Sequence, residues 1–478
     1  MVQPVLRLGC CILVAVAPLP QHAARAQAAP LPGTDRSNAL VIVLDRVGTG
    51  DVGFLGSTLG ATPNLDALAA RGVVMQRAYA ASPQPSPARA AILTGRWPNA
   101  MGFEFAMPMA DEASSPDAAA RGLAPGTPTI GSQLAAGGWS TGFVGSWQMG
   151  VTAEQAPMSM GFGFDCFVAH ATRTRKPRPG KDDGFSLRSL GAVNEGFERL
   201  EDAMTACAVG FIERERAKPW MLVVALPGVS PPLAPSAEDL AAFPTLEGRR
   251  REMAASLRSL DRSIGSMLAT IDATGQAART MVVVIGDTGG SMAWGSSNGP
   301  LKGDFGTCFE GGLRVPMIIA LPGRLAPGTT YPNPVAGTDV LPTVAAALGQ
   351  PAPASIDGVD LMPYLTGAAT GLPHSEFHWQ SGQSAATMFS GLKYVIPLDG
   401  APSIYRIDQD PTESINGAED SVDAYTMLRE RHERWSQSLP PARWLQDGSI
   451  PDAQRAPPPP PTLPDPGKRR APKAEPAD

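Results

Sequence analysis

Apolar and polar positions in this chain alternate in blocks. The run Ala39-Leu40-Val41-Ile42-Val43-Leu44 is apolar throughout and partly β-branched. Such a run predicts a strand buried on both faces, as in parallel sheets. A loop with Gly48, Gly50 and Gly53 follows, then Pro63 opens a helix that Gly72 closes. The alternation continues with a strand from Val73 to Ala78, helices from Pro87 to Thr94 and Thr129 to Ala136, and a strand from Ser140 to Gly145. Further helices, from Glu195 to Ala217 and Arg249 to Thr274, precede the apolar runs from Trp220 to Leu226 and Thr280 to Ile285. Helices interleaved with buried strands predict an α/β fold: a mixed, mostly parallel sheet flanked by helices on both faces.

Toward the C-terminus the pattern changes. Short strand candidates surround Lys393-Tyr394-Val395-Ile396 and Ser403-Ile404-Tyr405-Arg406-Ile407, and a charged helix from Asp420 to Leu439 follows. The expected organisation is an α/β domain over 29–370, a small α+β subdomain over 371–445 and a Pro-rich tail over 446–478. The tail, with Pro457 to Pro461 unbroken, has too little apolar surface to fold.

Residues 1–28 have the make-up of an export signal: Arg7, an apolar stretch from Leu8 to Leu19, and the small-x-small pattern Ala26-Gln27-Ala28. The stretch is too short for a stop-transfer helix, so a periplasmic or secreted chain with no membrane span after cleavage is expected. Cys10 and Cys11 leave with the signal. Cys166, Cys207 and Cys308 remain, which allows one bridge at most and leaves buried free thiols equally open. A net charge of −6 with mixed signs carries no basic stripe, so nucleic acid is not an expected partner.

Ligands of open α/β sheets bind beyond the carboxyl ends of the strands. Asp45-Arg46 follows the first strand and Asp287-Thr288-Gly289-Gly290 follows a later one. Two such carboxylates converge on a cation, or else cap turns. The most informative segment is Pro85-Ser86-Pro87-Ala88-Arg89-Ala90-Ala91-Ile92-Leu93-Thr94-Gly95-Arg96. Together with Thr62-Pro63-Asn64-Leu65-Asp66, Gly145 to Gly150, Gly306 to Pro316 and Tyr405 to Glu413, it resembles the sulfatase family, in order from about residue 38 to 420. The resemblance implies an alkaline-phosphatase-like fold and sulfuric ester hydrolysis of the arylsulfatase type. In that chemistry a Cys or Ser, oxidised to formylglycine, attacks the sulfate.

The departures from that pattern concern chemistry. The formylglycine position is Pro85, which has no hydroxyl or thiol. The family's second Asp is Arg46, its Lys and His are Ser146 and Gln148, its sulfate-side His is Ser230, its Asn is Thr288 and its last Lys is Phe305. Only Asp45, Arg89 and Asp287 match the family's functional set. The expectation is an inactive pseudo-sulfatase with no functional catalytic residues and no cofactor, calcium binding only if the family's metal site survives. It would bind an unknown ligand or protein partner through the old cleft. Arg46 is expected to replace calcium between Asp45 and Asp287, with Arg89 as a second cation. The alternative is an active sulfate or phosphate ester hydrolase with a rearranged site. Its nucleophile would be Ser86 or Thr94 and its base His170.

Overall fold

A computed structural model describes residues 37–108, 118–168, 199–418 apart from 232 and 234, and 421–450. The expected export signal, His170 and residues 451–478 of the expected tail lie outside the described residues.

The Asn38–Leu44 strand lies inside an eight-stranded sheet. It pairs in parallel with Trp220–Ala225 on one side and Thr280–Gly286 on the other. Ser140–Ser146 and Phe164–Val168 extend the parallel array, whereas Met317–Ala320 runs antiparallel to Thr280–Gly286. The sheet is therefore mixed and mostly parallel, as the block pattern predicts.

The uninterrupted apolar run of the first strand follows from its place in the sheet. Ala39, Val41 and Val43 point into one hydrophobic core, with the Pro85–Thr94, Ile130–Ala136 and Val340–Ala347 helices. Leu40, Ile42 and Leu44 point into a second, under the Pro63–Ala69, Leu200–Arg214 and Gly248–Ala273 helices. Successive side chains of a strand face opposite ways, so in a sheet covered on both faces the interior positions of a strand are apolar on both sides. A Cys166–Cys207 disulfide ties the edge strand Phe164–Val168 to the Leu200–Arg214 helix, and Cys308 is a buried free thiol.

The C-terminal region is a four-stranded antiparallel sheet, Glu376–Ser381, Ser384–Phe389, Leu392–Ile396 and Ser403–Arg406. One face carries the Val422–Ser438 helix, with Tyr425 and Leu428 against Tyr394 and Ile404. The other packs Phe377, Trp379 and Val395 on Tyr79 and Ala336, which lie in a separate three-stranded sheet, and on Leu313. Beyond this helix, Trp444 returns to the α/β body and lies edge-on to Phe103 at 4.7 Å. Residues 446–450, expected as part of the tail, are ordered against that body: Arg121 donates to the Gly448 carbonyl at 2.8 Å.

Candidate active-site cleft

Strand register builds the site. Leu44 pairs with Gly286, so Asp45 and Asp287 emerge side by side at the carboxyl edge, and the Asp287 N–H donates to the Leu44 carbonyl at 3.0 Å. Both aspartates are buried. The loops behind them pack tightly: a Cβ on Gly289 would come within 1.9 Å of the Gly311 carbonyl oxygen, so only glycine fits.

The wholly buried Pro85–Thr94 helix brings Arg89 to the two carboxylates. The Arg89 Nε donates to Asp287 Oδ2 at 2.8 Å, Nη2 lies 3.2 Å from Asp45 Oδ2, and Nη1 donates to the Ser146 carbonyl at 3.0 Å. Its guanidinium thus joins the ends of three strands. Burial works against the Arg89 charge, yet the two carboxylates hold its pKa above the ordinary arginine value. Burial also lifts Asp287 above the usual carboxylate range, against the pull of Arg89 and with the help of the neighbouring Asp45 charge.

Arg46 plays a different part from the one expected. Its backbone is left-handed, φ 56°, and its main-chain N–H donates to Asp287 Oδ1 at 3.0 Å. The side chain turns toward the rim, with Nε 3.8 Å from Asp45 Oδ1 and the guanidinium 4.2 Å above the Phe305 ring. Arg89, not Arg46, is the cation set between the carboxylates. Arg89 reaches them from a rigid helix, whereas the left-handed turn directs the Arg46 side chain away. Thr288 donates its hydroxyl to Asp287 Oδ1 at 3.3 Å.

Pro85 opens the helix at this edge, with Ser86 beside it. Ser86 Oγ donates to Gln148 Oε1 at 3.2 Å and accepts from the Met107 N–H, also at 3.2 Å. An amide oxygen is no base, so these contacts do not activate the hydroxyl. Thr94 ends the same helix and donates to the Ala90 carbonyl; nine residues of rise set it about 13 Å from Pro85, away from the carboxylates. The described histidines, His374, His378 and His432, all belong to the C-terminal region, where their hydrogen bonds run to Asp339 and Thr387. Ser146 and Ser230 are buried, and the Ser146 hydroxyl has no hydrogen-bond partner among the described residues. Gln148, like Arg46, is left-handed, with φ 55°. The Met107 contact with Ser86 has no local sequence signal, since it joins positions 21 residues apart.

The sulfatase family profile matches residues 37–350. The chain belongs to the sulfatase family. It is 30% identical to arylsulfatase A of Bos taurus over 394 residues, covering 74% of this chain and 73% of that one. The steryl-sulfatase of Mus musculus is 29% identical over 425 residues, covering 72% of this chain and 67% of the relative. The crystal structure of Ps i-CgsB superposes with a TM-score of 0.80 at 26% identity, over 86% of this chain and 95% of that one.

Sulfatases usually use a metal ion. The residues at the matching place in this chain do not fit one. Asp287 Oδ2 is taken by Arg89, and Oδ1 by the Arg46 N–H and the Thr288 hydroxyl. The nearest charges to both carboxylates are guanidiniums.

Proposed function

We propose that this sulfatase-family protein is exported and non-catalytic, and that it uses the former active-site cleft to bind a ligand or partner. The observation that carries the reading is the helix start at the cleft. Pro85 stands at the family's nucleophile position with no atom to attack sulfur, and Arg89 behind it is consumed by Asp45 and Asp287. Formylglycine chemistry also needs donors for the sulfate oxygens, each contributing roughly 1.5–3 kcal/mol when charge-assisted. Ser146, Gln148, Ser230 and Phe305 supply no charge there.

Most of the cleft floor is buried, so a ligand meets the half-buried rim residues Arg46, Gln84, Gln148 and Phe305. A guanidinium, two amides and an aromatic edge suit a hydroxyl-rich ligand of the oligosaccharide class. In support, the similar Ps i-CgsB has been crystallised in complex with k-i-k-neocarrahexaose. The Cys166–Cys207 bridge supports an oxidising, extracytoplasmic compartment.

The test is hydrolysis of a fluorogenic aryl sulfate by protein co-expressed with a formylglycine-generating enzyme. No turnover above buffer is expected. Saturable turnover that Ser86→Ala abolishes would establish a rearranged active site instead.

A further inference from the structure

We propose that a groove outside the cleft binds an acidic oligosaccharide, through Arg250 and Arg258 of the Gly248–Ala273 helix, Arg314 and the exposed ring of Trp294. It does so whatever the cleft binds or hydrolyses, because the rim residues Arg46, Gln84, Gln148 and Phe305 do not line this groove.

Charge is the first support. The groove has a volume of about 830 Å³ and runs between the loop after the first strand and the start of the Gly248–Ala273 helix. Arg250, Arg258 and Arg314 line it, and among the described residues no Asp or Glu does. The acids that face these arginines, Asp51, Asp239 and Glu310, are buried. A cleft walled by one sign of charge concentrates its field on ligands of the opposite sign. Arg258 is the least spent of the three. Its Nε is 3.7 Å from Asp239 Oδ1 and has no hydrogen bond among the described residues, while Arg262 takes both Asp239 oxygens at 2.6 and 3.0 Å.

Spacing is the second. Arg250 and Arg258 stand on one helix, about 12 Å of rise apart. Guanidiniums set so far apart cannot close on one small anion, and suit a chain that carries charged groups at intervals. Ser57, Thr58 and Thr245 also line the groove and offer hydroxyl partners to sugar hydroxyls.

Trp294 is the third. Its side chain is 37% exposed, and Arg250 Nη1 donates to the carbonyl of the next residue, Gly295, at 2.8 Å, which sets the indole beside the groove. The Arg249 guanidinium lies 4.8 Å from the ring centroid, and its Nη1 donates to the Ala293 carbonyl at 2.6 Å, so the ring is steadied from one side. A held, exposed indole gives the flat apolar surface on which the C–H face of a sugar ring packs. Single-stranded nucleic acid stacks successive bases on successive aromatic rings. Here Trp294 is the one exposed aromatic residue among those described.

The full chain is titrated by calorimetry with a heparin-derived oligosaccharide, an oligogalacturonate, a neutral malto-oligosaccharide and a single-stranded oligonucleotide. Binding is expected for an acidic saccharide, weakening as salt rises, and not for the neutral one. The first two probes tell sulfate from carboxylate as the group that is read. Arg258→Gln and Trp294→Ala should each weaken binding about tenfold. Both side chains are more than a third exposed, so the melting temperature should hold. Arg258→Lys, which keeps the charge, should retain most of the affinity. The proposal is overturned by no binding of either acidic saccharide, by equal binding of the neutral one, by tighter binding of the oligonucleotide, or by affinity that both variants leave unchanged. Binding that Phe305→Ala abolishes and Arg258→Gln spares would place the ligand in the cleft, which sinks the groove and supports cleft binding. Turnover of an aryl sulfate by the same protein would sink the non-catalytic function and leave the groove standing.

Discussion

At the scale of single residues, function in this cleft is set by what is missing and by what has moved in. Pro85→Cys would restore a formylglycine precursor but none of the charged donors, so turnover of aryl sulfates is expected to stay at background even with the maturing enzyme present. Recovery of activity by that single change would show that Ser146, Gln148, Ser230 and Phe305 are not limiting. A second residue, Lys393, matters for stability. It is fully buried, 2.8 Å from Glu310 and 3.0 Å from Glu413, while Glu310 also meets Tyr79 and Arg314. Burial opposes the Lys393 charge, but Glu310 and Glu413 keep its pKa raised. Lys393→Met leaves Glu413 without its cation inside the protein, which should cost about 3–5 kcal/mol. Urea unfolding monitored by tryptophan fluorescence would read this, and a loss under 1 kcal/mol would refute it.

At the scale of elements, the Val422–Ser438 helix is held to the small sheet partly by His432, which shares the Thr387 hydroxyl with His378 of the sheet. Thr387 Oγ1 lies 2.9 Å from His378 Nδ1 and 3.2 Å from His432 Nδ1. His432 is buried, and burial together with the neighbouring His378 lowers its pKa from 6.5 to about 4. Burial lowers His378 too, against the pull of Glu376. A depressed folded-state pKa means that the unfolded chain binds the proton first. The stability is therefore fully present above pH 6.5 and is lost as pH falls toward 4. For His432 alone the loss approaches about 3 kcal/mol. Unfolding free energies at pH 7 and pH 4.5 should differ by part of this amount, and His432→Phe should reduce the difference. An unchanged pH dependence in that variant would argue against the assignment.

At the scale of the whole molecule, the Cys166–Cys207 bridge spans 41 residues and joins an edge strand to the helix that covers it. On the chain-entropy account, a loop of that length contributes up to about 4 kcal/mol. Replacing both cysteines with alanine should lower the melting temperature by roughly 4 °C, read by calorimetry. An unshifted melting temperature would mean that the native chain does not form the bridge. The same scale separates what was legible in the chain from what was not. The charge-free runs that form the strands, the helix from Pro87 to Thr94, and the placing of Asp45 and Asp287 at strand ends were legible. Each follows from apolar periodicity or from punctuation by Pro and Gly, which act over a few residues. The pairing of Cys166 with Cys207 could not be chosen from three widely spaced thiols. Nor could Arg89 be preferred over Arg46 as the cation between the carboxylates, since Arg46 is next to Asp45 in the chain. That choice depends on a left-handed main-chain turn at Arg46, on a helix that carries Arg89 across three strand ends, and on the register of Leu44 with Gly286. The sequence by itself determined the layered α/β body and the absence of a nucleophile at Pro85, because both depend on which side chain stands at which position. Only the tertiary structure decided which charges meet, because ion pairing depends on distances of a few ångströms between segments far apart in the chain.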